Sequence, residues 1–474
     1  MTVHTLLSPL PLAGEGGETR SSSRERALLA LPLSCLARYS ALGTLSPATR
    51  GEGKEEVPRP GMTSMTIAIV GGGICGLSLA LNLQARGIVC RVYEAAPELK
   101  ELGVGITLLP HAMRELTALG LGDDLLRIGI ENAESCFFNR FGQLIYKEPR
   151  GKRAGYEYPE VGIHRGKLHL ALYRAVQERL GPDSVITDHL CAGVEQDEDG
   201  ARLQFNETSS GRALPPVSAD IVVACDGVNS ALRKQLVGDS VVFTGINTWR
   251  GVTKHKPILG GRSYLRIGSI LTGKIVIYPI ADDIDGDGNQ LINWTTEFKR
   301  DTTNMNDWNK PGDLADFISL YESWRFDWLD VAALIRNSDF IFEYPMVDKD
   351  PLPRWTFGRV TLAGDAAHPM YPRGSNGAAQ SVIDARVLSD CLTGNSDPRE
   401  ALAAYEAARR EATGKVVRTN REHPPDFINI KVEELTGDQP FDNLDDFITQ
   451  DELRALSENY KRIAGFAVSD VKGA

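Results

Sequence analysis

Residues 66–94, TIAIVGGGICGLSLALNLQARGIVCRVYE, decide the fold of this chain. Residues 66–70 form a short apolar run rich in β-branched side chains, which is typical of a buried parallel strand. A leucine-rich helical pattern follows over 77–83, and a second short strand, 89–93, ends on Glu94. Between the first strand and the helix stand three glycines at the spacing G-x-G-x-x-G: Gly71, Gly73 and Gly76. The stretch therefore predicts a β-α-β unit that opens with a glycine-rich turn.

The three glycines and Glu94 each suit a particular structural role. Gly71 permits the tight turn, Gly73 lets the backbone approach a pyrophosphate, and Gly76 lets the helix pack closely on the strand. The pyrophosphate can then lie on the helix N-terminus, and Glu94 can accept a hydrogen bond from a ribose 2′-hydroxyl. A lone glycine pattern would also fit a turn without a ligand, but here the strand, the helix and the acid all accompany it. The sequence therefore predicts an adenine dinucleotide site.

Length and composition set the class of protein. A chain of 474 residues predicts two or three domains, and 42% hydrophobic with 24% charged residues is an ordinary globular balance. The net charge of −11 argues against a nucleic-acid partner, because phosphate binding needs clustered lysine and arginine. No apolar run reaches the roughly 18 residues that a membrane-spanning helix needs, so no membrane partner is expected.

The seven cysteines are scattered and include no CxxC pair. This spacing disfavours both a disulfide framework and a zinc site, so we expect reduced cysteines, no metal and a cytoplasmic location. A second candidate for a metal is DIDGDG at 283–288, which matches the opening of a calcium-binding loop. The twelfth position of that loop is Trp294, where a glutamate is needed. We therefore interpret 283–288 as an acidic hairpin tip.

Residues 1–61 differ in composition from the rest of the chain and lack sustained periodicity. Met62 and Met65 stand immediately before the first strand. We expect translation to begin at one of them, which makes 1–61 a non-native extension; a disordered tail is the alternative.

The order of helices and strands predicts a discontinuous nucleotide-binding domain. Alternating αβ patterns occupy 65–133, 160–240 and 357–425. Strand-rich segments at 134–159 and 241–356 predict an inserted antiparallel sheet, with a helical stretch over 314–335. Residues 426–474 are predicted to be an acidic tail with one helix. The predicted fold class is α/β, α+β overall: a Rossmann-like domain carrying a second, substrate-binding domain.

Three separated motifs together carry a family resemblance. They are the glycine pattern with Glu94, then DIVVACDGVNSALR at 220–233, and GDAAHP at 364–369. In this order they resemble the single-component flavoprotein aromatic hydroxylases, the p-hydroxybenzoate and salicylate hydroxylase family. The resemblance covers nearly all of 65–421 and implies a p-hydroxybenzoate hydroxylase-like fold with FAD as the dinucleotide.

Shorter motifs narrow the resemblance to one branch of that family. They are YP at 158–159, IHRG at 163–166, WRGVT at 249–253, YPMVDKDPLP at 344–353 and MYP at 370–372. These are similar to the branch of the 5-methylphenazine-1-carboxylate monooxygenases. Because that branch has many members of unassigned substrate, it implies the reaction type more firmly than the molecule.

The resemblance assigns expected roles to individual cofactor-binding residues. Glu94 would hold the adenosine ribose, Arg165 would reach the FAD from the start of its helix, and Asp365 would accept from a ribityl hydroxyl. Asp226 and Gly227 belong to a motif associated with both FAD and NAD(P)H.

The same resemblance places a helix N-terminus near the flavin N1 and C2 carbonyl, where negative charge gathers on reduction. The residues involved are Gly374, Asn376 and Gly377. For His368 we weighed a catalytic base against a support for the loop, and we favour the support.

The reaction implied is the hydroxylation of an aromatic substrate by O2. NAD(P)H would reduce FAD, dioxygen would add at the flavin C4a, and the hydroperoxide would hydroxylate a planar, phenazine-carboxylate-like N-heteroaromatic ring, with or without loss of its carboxyl group. No catalytic side chain is assigned, because the flavin carries the chemistry. The expected substrate-pocket residues are Arg250, Tyr278 and Tyr371, with Arg250 either a carboxylate ligand or a structural ion-pair partner.

Other functions remain open at this point. One is hydroxylation of a simpler aromatic acid such as salicylate or hydroxynicotinate, and another is a non-catalytic flavin-binding protein. An enzyme with a separate NADPH fold would need a second glycine fingerprint, and a flavin halogenase would need a Trp-x-Trp-x-Ile-Pro stretch; we find neither in the sequence.

Overall fold

The computed structural model describes residues 65–101, 103–299, 311–465 and 467–468. The predicted extension at 1–61 lies outside these residues.

The strands, in chain order, are β1 Ile67–Val70, β2 Cys90–Tyr93, β3 Gly105–Leu108, β4 Gly129–Glu131, β5 Glu134–Phe138, β6 Leu144–Pro149, β7 Val161–His164, β8 Val185–Ile186, β9 Leu190–Gln196, β10 Ala201–Asn206, β11 Val217–Ala219, β12 Ile221–Ala224, β13 Val242–His255, β14 Ser263–Ser269, β15 Gly273–Ala281, β16 Gln290–Lys299, β17 Arg325–Phe326, β18 Leu329–Asp330, β19 Ile341–Asp348, β20 Thr356–Phe357 and β21 Val360–Leu362.

The α-helices are α1 Ile74–Gln84, α2 Pro110–Ala118, α3 Gly122–Ile128, α4 Arg165–Leu180, α5 Ala231–Leu236, α6 Val331–Arg336, α7 Gly377–Gly394, α8 Pro398–Glu422, α9 Phe427–Thr436 and α10 Gln450–Ile463.

The first sheet is built around the strand that opens the glycine turn. Its six strands run in the order β20-β21-β12-β1-β2-β8, parallel except for β20. All four side chains of β1 are buried, because helices cover both faces of such a sheet. Helix α1 packs between α4 and α7. The segments 67–93, 185–224 and 356–362 thus meet in one sheet, as a discontinuous domain requires, while the predicted domain limits stay a prediction.

The second sheet has seven strands in the order β19-β13-β16-β15-β14-β5-β6. It joins the hairpin β5–β6 to the later strands, although more than 100 residues separate them in sequence. The prediction of a purely antiparallel sheet is wrong at one place, since β5 pairs parallel to β14. A crossover between distant segments sets that direction, and local alternation of side chains does not encode it.

One face of the second sheet packs on a compact aromatic core. Trp249 and Trp294 are fully buried there, against Phe317 and Tyr321 of the segment after 311. The predicted helical stretch over 314–335 is largely wrong: it consists of two 3₁₀ turns, the short hairpin β17–β18 and the helix α6. Burial of bulky aromatic side chains by short turns overrides the helical spacing.

The opposite face of the second sheet lies towards the first domain. It contacts the small sheet β3-β7-β4 through β15. Gly162 on β7 comes so close to β15 that a Cβ there would lie 2.5 Å from the Pro279 carbonyl oxygen. This close approach brings the start of α4, which follows β7, next to the second sheet.

The C-terminal segment is not a loose tail. It contains two helices, where one was predicted, and Ile428, Val432 and Leu453 pack with Phe137 and Ile145 of the second sheet. Helix α10 also contacts α8. Most described acidic residues of 426–474 lie on its outer face, with the buried Asp426 as an exception, while a buried apolar stripe fixes the position of the segment.

The acidic stretch 283–288 connects β15 to β16. Lys254 forms an ion pair with Asp285 at 2.8 Å, and this partner first, followed by Asn289, lowers the pKa of the Asp285 carboxyl. The stretch is therefore a hairpin tip, as the sequence indicated. Within the described residues, no helix is both long and apolar enough to cross a bilayer.

Candidate active site

The turn after β1 is made almost entirely of bare backbone. Gly71 has φ +103°, and a Cβ on it would overlap the Cys225 carbonyl oxygen. A Cβ on Gly76 would overlap the carbonyl oxygen of Gly71, so the helix can approach the turn only because position 76 is glycine. At Gly73, the N-cap of α1, a Cβ would meet nothing within 4 Å, so the helix N-terminus is open to an approaching group.

Two side chains hold the peptide at Gly72. The Gly72 N–H donates to Oε2 of Glu94 at 2.6 Å, while Oε1 of Glu94 accepts from the Ala96 N–H at 2.8 Å. The carbonyl oxygen of Gly72 lies 2.5 Å from Nε2 of His169. Glu94 therefore lies where the prediction needs it, beside the turn. His169 was missed, although it stands one helical turn after Arg165, on the same face of α4.

Asp365 lies at the bottom of a recess beside the N-terminus of α7. Its side chain is reached by solvent, yet the surrounding protein desolvates the carboxyl and raises its pKa, and the charges of His368 and Arg165 offset part of that rise. A side chain that solvent reaches although protein surrounds it closely lies in a concavity, which we call the Asp365 recess. A Cβ on Gly377 would lie 3.8 Å from Oδ1 of Asp365. Arg165, Asp365 and Gly377 are thus brought together.

His368 is a support rather than a base. Its Nε2 lies 2.5 Å from Oδ2 of the fully buried Asp384, whose Oδ1 accepts from Arg409 at 2.7 Å. Burial opposes ionisation of Asp384, but the charges of His368 and Arg409 prevail and lower its pKa to about 2. The same carboxylate accepts from the Gly364 N–H at 3.0 Å, so the network braces the loop that carries Asp365.

The residues predicted at the start of α7 divide into two groups. Gly377 is half-exposed at the first turn of the helix. Asn376 is fully buried, and its side-chain amide donates to the Tyr460 hydroxyl at 2.9 Å, so it faces the protein interior. A Cβ on the buried Gly374 would overlap the same hydroxyl. The Asn376 side chain is therefore turned towards Tyr460 and away from solvent.

Asp226 and Gly227 follow the end of β12, next to the glycine turn. Oδ2 of Asp226 accepts from the Ala231 N–H at 2.9 Å, and its buried Oδ1 has no hydrogen-bond partner among the described residues. Desolvation raises the pKa of this carboxyl. Gly227 has φ +77° and open space at its Cβ position. At the carboxyl end of β12, Asp226 therefore has a carboxylate oxygen without a hydrogen-bond partner among the described residues. Beside it, Gly227 leaves its backbone uncovered.

The substrate-pocket candidates do not all lie together. Arg250 donates from Nη2 to the Gly105 carbonyl oxygen at 2.9 Å, while its buried Nε has no partner among the described residues. Tyr278 stacks on Tyr264 at 4.9 Å; burial raises its pKa, and the nearby charge of Arg250 opposes the rise. Tyr371, by contrast, is packed in a separate apolar cluster.

The segment 103–105 contacts both Arg165, on the cofactor side, and Arg250, a substrate-pocket candidate. A Cβ on Gly103 would lie 3.7 Å from Cβ of Arg165, the Arg165 N–H donates to the Val104 carbonyl at 2.9 Å, and Gly105 accepts from Arg250. The Asp365 recess and the Arg250 face of the second sheet are therefore joined through the segment 103–105.

A separate groove of about 590 Å³ lies between α3–β4 and the β15–β16 turn. Its charged lining residues are Arg127, Lys167, Arg262, Glu131 and Asp282. It contains none of the predicted site residues, so we do not take it as the active site. Within the described residues, no three His, Cys, Asp or Glu side chains are grouped so as to hold a metal ion.

The residues at the turn and the recess fit an FAD. The bare turn at Gly73 and the open helix N-terminus suit a pyrophosphate, and Glu94 and Asp365 are carboxylates placed at strand ends where ribose and ribityl hydroxyls would need acceptors. Together with the two sheets, these features define an FAD-binding protein with a second, sheet-built domain.

Comparisons with known proteins agree with this class. Residues 64–258 and 347–420 match the family described as FAD binding domain. The chain is 41% identical over 366 residues to the phenazine 1,6-dicarboxylic acid hydroxylase PhzS of Lysobacter antibioticus, covering 76% of this chain and 90% of that protein. It is 33% identical over 371 residues to the 3-amino-4-hydroxybenzoate 2-monooxygenase PtmB3 of Streptomyces platensis, covering 76% and 88%.

A solved structure agrees at the level of the fold. HpxO of Klebsiella pneumoniae, complexed with FAD and uric acid, matches with a TM-score of 0.67 at 23% identity, covering 86% of this chain and 97% of that chain. The chain belongs to the FAD binding domain family, and it is an FAD-dependent aromatic monooxygenase. The predicted family, fold class and FAD cofactor are confirmed.

Proposed function

We propose that this enzyme uses NAD(P)H and O2 to hydroxylate a planar N-heteroaromatic acid of the phenazine-carboxylate class. The 41% identity to a phenazine 1,6-dicarboxylic acid hydroxylase supports this substrate class, because the alignment extends over 90% of that relative. FAD, when bound, supplies the redox chemistry that activates dioxygen, and the protein binds, orients and shields the reactants.

One observation carries the proposal: the segment 103–105 joins the Asp365 recess to the face of the second sheet that holds Arg250 and Tyr278. A ring that rests on this face lies next to a flavin held at the recess. Apolar residues of the same face, Val252 and Val276 among them, are buried and would exclude water from the ring.

Arg250 is the proposed anchor for the substrate carboxylate. One nitrogen of its guanidinium is already held by Gly105, which fixes its orientation, and the unpaired Nε keeps a donor free. A planar guanidinium fork matches a carboxylate with two hydrogen bonds. Tyr278 beside it is protonated at neutral pH, as a tyrosine ordinarily is, and burial raises its pKa further, so its hydroxyl would donate a hydrogen bond to the substrate.

The cofactor roles expected from the resemblance are part of this proposal. Glu94 would accept from the adenosine ribose, Arg165 and Asp365 would hold the ribityl chain, and the N-terminus of α7 at Gly377 would face the flavin N1 and C2 carbonyl. Asp226 and Gly227 would contact FAD at the edge of the first sheet. No disulfide joins the six described cysteines, and with the need for NAD(P)H this supports a cytoplasmic location.

The proposal is tested with FAD-reconstituted enzyme, NADH or NADPH, and a panel of aromatic acids. The panel contains phenazine-1-carboxylate, phenazine-1,6-dicarboxylate, unsubstituted phenazine, salicylate and 6-hydroxynicotinate. We expect only the phenazine acids to stimulate NAD(P)H oxidation strongly and to gain oxygen by product mass, with little peroxide release. Preferred hydroxylation of salicylate or 6-hydroxynicotinate would overturn the substrate class, and no stimulated NAD(P)H oxidation at all would favour a non-catalytic flavoprotein.

A further inference from the structure

The loop before α7 has an unusual backbone. Ser375 lies in the left-handed region at φ 56° and ψ 25°, although it is not a glycine. A non-glycine residue in this region is strained and persists only when its surroundings hold it in place. Gly374 and Asn376 flank it on either side, so what holds these two residues also fixes the loop.

Both neighbours are held by one side chain from the C-terminal segment, Tyr460 of α10. Its hydroxyl accepts from the Asn376 side-chain amide at 2.9 Å and donates to Oδ1 of Asn420 at 2.9 Å. The same hydroxyl lies so close to Gly374 that a Cβ at that position would overlap it. Tyr460 is 4% exposed, so water does not replace these contacts.

The start of the loop, Tyr371, is also held by a buried side chain. The amide of Asn420 on α8 donates to the Tyr371 carbonyl at 2.9 Å, and Asn420 is fully buried. The loop 371–376 is therefore bonded at both ends to a pair of buried side chains, Tyr460 and Asn420, that come from two different helices.

We propose that Tyr460 is a positioning residue for the flavin-binding loop, through which helix α10 sets the N-terminus of α7 against the cofactor. This inference rests on the proposed function. Loss of the hydroxyl leaves the Asn376 amide and Oδ1 of Asn420 without their partner in a buried site, and it frees the strained loop. The N-terminus of α7 then no longer faces the flavin in one fixed orientation.

The test compares Tyr460→Phe with Tyr321→Phe. The control removes another buried hydroxyl, which lies in the aromatic core of the second sheet and donates to the Lys274 carbonyl at 2.9 Å rather than to a residue of the loop 371–376. Three quantities are measured: FAD affinity by fluorescence quenching, the absorption spectrum of the bound flavin, and the ratio of peroxide to hydroxylated product.

We expect Tyr460→Phe to bind FAD about tenfold more weakly, since one buried hydrogen bond corresponds to roughly a factor of ten. Its flavin spectrum should shift and its peroxide fraction should rise, while Tyr321→Phe keeps wild-type values for all three. Wild-type FAD affinity, spectrum and coupling in Tyr460→Phe would overturn the inference.

If Tyr460→Phe does not fold, Asn420→Ala serves instead, because it removes the acceptor of the hydroxyl and leaves the Tyr460 ring in place. The same three changes are expected, and unchanged values would again overturn the inference. Failure of the proposed function is distinguishable from these outcomes, because the wild-type protein itself would then show no hydroxylation of the phenazine acids.

Discussion

Arg250 tests the proposed orientation of the substrate at the scale of one residue. Arg250→Lys keeps the positive charge but loses the planar fork, so the ring should be held less firmly. A misplacement of about 1 Å can cost roughly a hundredfold in rate, so we expect continued NAD(P)H consumption with more peroxide and less hydroxylated product. Peroxide and product are measured together. Unchanged coupling with an unchanged preference for carboxylated substrates would remove Arg250 from the site.

His111 on α2 makes stability depend on pH. Burial first, and the charges of Arg114 and Arg409 next, lower its pKa from 6.5 to about 3. The unfolded chain therefore takes up a proton near pH 6.5, whereas the folded protein takes it up only near pH 3. Because the unfolded state binds more protons between these two pH values, the free energy of unfolding falls as the pH falls through this window. The expected slope is at most about 1.4 kcal/mol per pH unit.

The measurement is urea unfolding at pH 7.5 and pH 5.5. His111→Gln should lose less stability over this interval than the wild type, while the control His423→Gln, at an exposed position, should match the wild type. Equal pH dependence in all three proteins would show that His111 is not the responsible group.

At the scale of the β1–α1 element, Gly76 is expected to matter for stability and Gly73 for FAD binding, and substituting each of them tests this difference. A Cβ at Gly76 overlaps backbone, so Gly76→Ala should cost about 1–3 kcal/mol in the free energy of unfolding. At Gly73 a Cβ meets nothing, so Gly73→Ala should stay within about 1 kcal/mol of the wild type yet bind FAD poorly.

Thermal melts and FAD titration of both variants measure this contrast. Equal losses of stability in Gly73→Ala and Gly76→Ala, or full FAD affinity in Gly73→Ala, would contradict the assigned roles.

At the scale of the whole molecule, Asp426 joins three distant segments. It precedes α9 and accepts from Arg373 of the flavin loop at 2.6 Å, and Lys274 of the second sheet lies at 3.1 Å. All three side chains are at most 4% exposed. Asp426→Ala leaves two buried cations with Glu297 as their remaining partner, so we expect a loss of about 3–5 kcal/mol.

Chemical denaturation compares this variant with Asp438→Ala, which removes the half-exposed pair between Arg140 and Asp438. That control should lose about 1 kcal/mol or less. Similar losses in the two variants would show that the buried cluster does not join the segments.

The sequence by itself determined the features that depend on local spacing. The strand, glycine turn and helix over 66–94 and the acidic hairpin tip at 283–288 were predicted, because neighbouring residues and short periods fix them. The same spacing predicted an adenine dinucleotide, since a pyrophosphate on a helix N-terminus needs bare backbone at defined positions; the family resemblance then implied that this dinucleotide is FAD.

Only the tertiary structure decided which distant residues meet. Nothing in the local pattern near Gly72 indicates His169, and nothing near Gly374 indicates Tyr460, because these contacts join segments about 90 residues apart. The buried side of Trp249 and Trp294, the parallel pairing of β5 and the docking of the C-terminal helices were likewise set by global packing. Local spacing therefore predicted a dinucleotide site, and the packing of distant segments decided which residues surround it.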